Sequence, residues 1–277
     1  MNNNVELSMR EIQKGSLNIL FEIDKMCKQL NLRYYLAYGT LIGAVRHHGF
    51  IPWDDDIDIM MPRDDYKRLI GYFMENEKEL KPLELFSYYN NENYPHMISR
   101  ISDNRYILDV DNEKNYGLGL FVDIYPMDGV GNSEEEYTSR KNLASKYSSL
   151  CFLSTREHFE FGTTKGLKKK IIKIPAYIYA KIRGKKYFLE KLECMSAAKK
   201  YDEEQYVGCL VWGTDGVKAV FPREWFESSI GLEFEGMVFQ APIKYHDVLK
   251  RLYGDYMKIP PKEKQIGHHF YRAYKKD

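Results

Sequence analysis

From residue 34 to residue 62 the chain reads YYLAYGTLIGAVRHHGFIPWDDDIDIMMP. Asp54, Asp55, Asp56 and Asp58 stand there among Ile51, Trp53, Ile57, Ile59, Met60 and Met61. An unpaired carboxylate is costly to bury, so acidic runs are seldom embedded in apolar sequence. This segment must enter a core and still satisfy its charges. Read as a strand over 57–61, it alternates: Asp56 and Asp58 share one face, and Ile57 and Ile59 the other. By the same parity Asp55 faces away from the pair. Two carboxylates on one face repel each other unless a cation lies between them, and hard oxygen donors suit Mg²⁺ or Mn²⁺. The plain alternative is a strand with a solvated polar face, where Thr, Lys or Glu would be commoner than clustered Asp.

Three metal readings compete. An EF-hand loop beginning at Asp54 would need Gly at its sixth position and Glu at its twelfth, but Ile59 and Asp65 stand there. A D-x-D glycosyltransferase would grip a nucleotide-sugar diphosphate through Asp56 and Asp58, on little evidence. The third reading adds Gly39-Thr40. A strand over 33–37 would turn at Gly39 into a short helix over 41–45. Glycine allows close backbone approach, and a helix N-terminus offers free N–H groups to an anion. A phosphate would then face the carboxylates of the next strand. Arg46, one turn further on, is a phosphate partner with a fork that never deprotonates.

The order Gly-Thr, short helix, Asp-x-Asp strand resembles the nucleotidyltransferase superfamily. The longer string YGTLIGAVRHHGFIPWDDDIDI resembles the LicD family, bacterial phosphocholine transferases whose core is shared with fukutin-related ribitol-phosphate transferases. The likeness continues in GLFVDIYPMDGV, in EFEGMVFQAPIKYHDVLKRLYGDY (233–256) and in Ile266-Gly267-His268-His269. It is weakest from about 131 to 204.

The resemblance implies an α+β fold: a mixed, nucleotidyltransferase-like sheet flanked by helices, with a helical insertion. The expected divisions are a catalytic core (1–130), a basic helical insertion (131–204) and a C-terminal segment completing the core (205–277). Asp123, lodged between Val122 and Ile124, becomes the third metal carboxylate and the proton acceptor for the incoming hydroxyl; its ordinary alternative is an ion pair to Arg100 or Lys114. Gly39, Thr40 and Arg46 would hold the donor diphosphate, and His268 and His269 would fold back on it. The implied donor is CDP-choline and the leaving group CMP. The implied acceptor is a hydroxyl of a cell-surface glycan or teichoic acid precursor, often lipid-linked. An aromatic cage would suit the quaternary ammonium, with Trp53, Tyr35, Tyr88, Tyr89 and Tyr94 as candidates. Other CDP-alcohols (glycerol, ribitol), a triphosphate-using nucleotidyltransferase, and a non-catalytic binding protein are the alternatives. The intact Asp56, Asp58 and Asp123 set argues against the last.

A chain of 277 residues, 44% hydrophobic, can bury a substantial core. A net charge of +1 argues neither for nor against nucleic acid, and no nucleic-acid partner is expected. Cys27, Cys151, Cys194 and Cys209 show no C-x-x-C spacing, so neither a zinc site nor a disulfide framework is expected. Free thiols, no apolar leader and no run of about 18 apolar residues predict a cytoplasmic protein.

Ser8-x-x-Glu11 predicts a capping box opening a helix that ends at Asn31, and Pro62-Arg63-Asp64 and Ser133-x-x-Glu136 predict further helix starts. Strands are predicted over 83–89, 96–101 and 118–125, with 106–110 returning as a hairpin on 96–101 after Ser102-Asp103-Asn104. Asp128, near Pro126, reads as a turn or cap residue. From 164 to 187 Lys and Arg occur with no acid, interleaved with Ile and Tyr, and Pro175 would kink this helix. Such a basic amphipathic helix suits the inner face of a membrane, an anionic polymer, or plain solvent exposure.

Overall fold

The computed structural model describes residues 5–91, 94–110, 116–160, 167–212, 216–265, 267 and 271–276, with only the backbone over 167–172. Helix α1 (Met9–Leu30) opens with the capping box: the Ser8 side chain accepts from the Glu11 amide, and Glu11 accepts from the Ser8 amide at 2.8 Å. Asn31 ends it in the left-handed region. Strand β1 (Tyr35–Leu36) leads into helix α2 (Tyr38–His47), then β2 (Asp58–Pro62) and α3 (Arg63–Glu75). Next come β3 (Leu83–Phe86), β4 (Ser99–Asp103), β5 (Tyr106–Val110) and the long β6 (Leu120–Gly131). Helices α4 (Glu134–Thr155) and α5 (Leu167–Ala197) form a hairpin between β6 and β7 (Tyr206–Gly208). The chain closes with β8 (Val220–Pro222), β9 (Ser229–Phe234), β10 (Met237–Pro242), α6 (Tyr245–Tyr253) and β11 (Tyr271–Lys275).

Among the described residues the central sheet has the order β1-β2-β6-β4-β3, with β7 and β8 continuing from the far end of β6. Among the described residues only β2 and β6 run parallel and the other pairs are antiparallel, so the fold is α+β with a mixed sheet. Strand β5 does not return on β4. It pairs with β11, more than 160 residues away in sequence (Tyr271 opposite Val110). A local turn signal cannot reveal so remote a partner.

Strand alternation divides the sheet cleanly. Ile59, Ile101, Val122 and Ile124 are fully buried on one face. Burying such side chains contributes about 1.5–3 kcal/mol each. Helix α1 comes down on this face at Gly15, where a Cβ would lie 2.2 Å from Leu120 Cδ1. From α3, the Tyr66 hydroxyl meets Ser99 Oγ at 2.6 Å. The opposite face carries Asp58, Asp123 and Arg100, and it is left for the C-terminal segment and the chemistry.

Two polar anchors fix the frame. Arg63 and Asp128 form a buried two-pronged pair, Nε to Oδ1 at 2.6 Å and Nη2 to Oδ2 at 2.8 Å. Asp128 is therefore a buried partner inside β6 and no turn residue. Burial alone would lower the Arg63 guanidinium, but Asp128 outweighs it and raises it. The hairpin β9–β10 turns through Glu235 (φ 55°) and Gly236 (φ 76°), the geometry of a tight two-residue turn. Its tip reaches back to the aspartate loop: Glu235 accepts from both Arg10 Nη atoms (3.0 and 2.5 Å) and from the Phe50 amide (3.3 Å). The Glu235 amide in turn donates to the His48 carbonyl at 2.8 Å.

Candidate active site

Parallel pairing of β2 with β6 sets Asp58 directly opposite Asp123, and the next strand sets Arg100 opposite Asp123 on its other side. All three therefore project from one face. Asp58 and Asp123 are buried, at 6% and 3% exposure. The Arg100 guanidinium holds Asp123, Nε to Oδ1 at 2.6 Å and Nη2 to Oδ2 at 3.5 Å, while lying 4.3 Å from the Phe121 ring. Asp123 thus takes up the ion pair that the sequence offered as its ordinary alternative, and it does so beside Asp58.

Asp58 has no such partner for one of its oxygens: Oδ1 is buried without a hydrogen bond. Burial pushes its carboxyl well above the ordinary range, the charges of Asp56, Asp123 and Asp54 push the same way, and a hydrogen bond from Tyr125 opposes them. An orphaned, buried carboxylate oxygen facing further carboxylates is the donor set of a hard divalent cation. Asp54, Asp55 and Asp56 form a second acidic group in the adjoining loop, each offering a carboxylate oxygen within 4.8 Å of the others, and that group does not include Asp58 or Asp123. The residues present therefore fit Mg²⁺ or Mn²⁺.

The strand begins at Asp58, so 54–57 is loop and strand parity does not govern it. Asp55 consequently lies with Asp54 and Asp56 instead of facing away. It also accepts from the Tyr271 hydroxyl, whose own titration is raised well above normal by burial and then by Asp55 and Asp56. Tyr271 comes from β11, so the last strand touches the acidic loop.

Gly39 and Thr40 stand inside the first turn of α2, not before it. The turn itself is made by Tyr38, at φ 45°, a conformation that bulky side chains rarely adopt and that costs about 1–3 kcal/mol. Thr40 Oγ1 accepts from the Asp58 amide at 2.8 Å and so pins the start of β2. Gly39 lets an aspartate approach: a Cβ there would lie 2.5 Å from Asp54 Oδ2. Gly39→Ala is expected to displace Asp54 and cut transfer by about 10²-fold. Replacing glycine by alanine in a helix contributes about 0.5–1 kcal/mol of stability, so the thermal midpoint should hold or rise. Steady-state kinetics and a melting curve on the same preparation check this.

Arg46 does not join the aspartates. It donates to the Tyr256 carbonyl at 2.7 Å and to His47 Nε2 at 2.9 Å, and among the described residues it makes no ion pair. The His47 ring meets Trp53 at 6.5 Å, and Gly267 passes Trp53, its Cβ position 3.3 Å from the Trp53 carbonyl oxygen. Gly267 thus lies beside the loop, while His268, His269 and Lys114 lie outside the described residues.

Aromatic rings line this side of the sheet. Tyr125 contacts Tyr38 (5.0 Å) and Trp212 (6.0 Å), Trp212 contacts His96 (6.0 Å), and His96 contacts Tyr94 (5.5 Å). Tyr94 is fully buried with its hydroxyl unpartnered, and it meets Tyr116, which accepts from Arg100 at 3.4 Å. Lys141 of α4, buried, holds this wall from behind by donating to the Cys209 carbonyl and, at 2.7 Å, to that of Trp212. Of the sequence's cage candidates, Tyr94 belongs to the wall. Tyr35 is tied to the Phe226 carbonyl (2.6 Å). Tyr88 and Tyr89 both donate to Glu193 beside a separate cavity of about 740 Å³ against α5. Tyr125 was detectable in sequence, two positions after Asp123 and hence on its face. Trp212 and Lys141 carried no local signal.

Residues 31–161 match the family described as LicD/FKTN/FKRP, nucleotidyltransferase domain. Over 97% of its length the chain is 34% identical to the lipopolysaccharide cholinephosphotransferase LicD of Haemophilus influenzae, 98% of which is covered. An uncharacterized protein of Rickettsia typhi is 28% identical over 64% of this chain and 60% of its own length. Another, from Rickettsia prowazekii, is 31% identical over 46% and 57%. The Haemophilus match spans the acidic loop, the paired strands and the C-terminal segment that touches them. By that end-to-end similarity, the chain belongs to the LicD family.

Proposed function

We propose that the chain transfers phosphocholine from CDP-choline to a hydroxyl of a cell-surface glycan, with release of CMP. As a LicD-family member the chain is a phosphotransferase, and the name of its Haemophilus relative supplies phosphocholine as the group and lipopolysaccharide as the acceptor class. The observation that carries the reading is the buried, unpartnered Asp58 oxygen set against further carboxylates and beside a wall of aromatic rings.

Asp56, Asp58 and Asp123 would hold Mg²⁺ or Mn²⁺, with Asp54 and Asp55 adjoining. Such a cation, when bound, neutralises phosphate charge and aligns attacking and leaving oxygens. The chain's own residues do the rest. Arg100 fixes the Asp123 carboxylate, and Asp123 Oδ2, the oxygen held more loosely, takes the proton of the acceptor hydroxyl. The first turn of α2, with Gly39 and Thr40, faces the donor diphosphate. Trp212, half-buried, offers a ring face to the trimethylammonium group, with the buried Tyr125 and Tyr94 packed behind it.

A donor screen tests this, with purified protein, Mg²⁺ and an extract of surface-glycan precursors, following CMP and pyrophosphate separately. CMP from CDP-choline is the expected result. CMP from CDP-glycerol or CDP-ribitol alone keeps the transfer and changes the alcohol. Pyrophosphate from a nucleoside triphosphate, with no CMP, overturns the reading.

A further inference from the structure

Between Lys173 and Arg183, helix α5 turns an apolar stripe to solvent. Ile174, Ile178 and Ile182, four residues apart and hence on one stripe, are 45%, 52% and 79% exposed, and Tyr179 beside them is 41% exposed. The side of the helix away from solvent carries Lys173, Ala176, Tyr177 and the buried Ala180. An ordinary surface helix buries its isoleucines, whereas here they share the exposed surface with Lys181 and Arg183. Cations border the stripe. Lys181 lies 5.5 Å from the Tyr177 ring and donates to the Arg156 carbonyl, and Arg183 lies 5.0 Å from the Tyr187 ring. At Gly184 (φ 72°, ψ 161°) the helix breaks, separating this arm from residues 185–197; Pro175, where the sequence suggested a kink, is carried within the helix.

We propose that this face rests on the surface of an anionic lipid bilayer. The charge decides the occupant. Residues 167–183 include Lys168, Lys169, Lys170, Lys173, Lys181 and Arg183 and not one acid. A second copy of the chain meeting this face with its own would set like charges against each other, whereas anionic headgroups complement them. An apolar stripe bordered by Lys, Arg and Tyr is the pattern of a helix lying in the plane of the interface. No described helix is long and apolar enough to cross a membrane, so the contact is with the surface. The proposal does not depend on which donor the enzyme uses.

Flotation of the whole protein with vesicles of phosphatidylethanolamine and phosphatidylglycerol tests it. The wild-type chain should float, and binding should weaken with added salt. Ile178→Asp/Ile182→Asp should lower partitioning roughly tenfold or more, with an unchanged melting curve and unchanged CMP release on a water-soluble acceptor. Lys181→Glu/Arg183→Glu, which spares the stripe, should lose binding to these vesicles as well. Three results would overturn the proposal: no flotation of the wild type, flotation of both variants equal to that of the wild type, or a wild-type dimer in sedimentation that Ile178→Asp/Ile182→Asp splits into monomers.

Discussion

Asp58→Asn is expected to remove transfer, by about 10²–10³-fold in kcat/KM or more, while the protein folds and keeps or gains thermal stability. Two effects combine here. Asp58 faces Asp123 across a parallel pair and has an oxygen with no hydrogen-bond partner, which under the proposed function is the oxygen that would bind the cation. The same charge is a burden on the fold. Its folded carboxyl titrates well above the ordinary carboxylate value, through burial first and neighbouring aspartates second. A raised acid contributes stability below its unfolded value and loses it as pH rises toward the folded one. Asparagine keeps the shape and removes that loss. Kinetics and melting curves at several pH values, with and without Mg²⁺, check both effects. Mg²⁺ should raise the midpoint of the wild type and not that of the variant. Surviving transfer would remove Asp58 from the chemistry.

Asp128→Ala should be the most damaging single change to the fold, at about 3–5 kcal/mol, because it leaves the Arg63 guanidinium buried without its counter-charge. Arg63→Ala should cost a similar amount from the other side. The double change Arg63→Met/Asp128→Leu should recover most of the loss, since apolar replacements of a buried pair are often neutral or stabilising. Urea denaturation of the three variants reads this directly from the midpoints. A loss below about 1 kcal/mol for Asp128→Ala would mean that water reaches the pair.

Local chemistry and strand period made much of this molecule legible in its sequence. The Ser8–Glu11 box, the Asn31 stop and the Ser133 cap are short-range devices, and each forms as spelled. The period of two also placed Asp123 and Asp58 on carboxylate-bearing strand faces, and their pairing followed once β2 met β6. Parity failed at Asp55 because 54–57 is loop, where no period operates. Asp128 was misread because its partner, Arg63, lies 65 positions away. Still larger separations hid Lys141 behind Trp212, Tyr271 beside Asp55 and the pairing of β5 with β11. Each of those contacts depends on where the whole chain closes, which no local window contains.

The Glu235 latch and Tyr271 bear on the order in which the protein is made. A nascent chain that has emerged only as far as residue 161 already contains every aspartate of the site. It still lacks the hairpin tip that holds Phe50, the carbonyl of residue 212 that Lys141 grasps, and the strand that covers β5 and reaches Asp55. The site therefore gains these contacts only after residues 212, 235 and 271 have been made, long after its own aspartates.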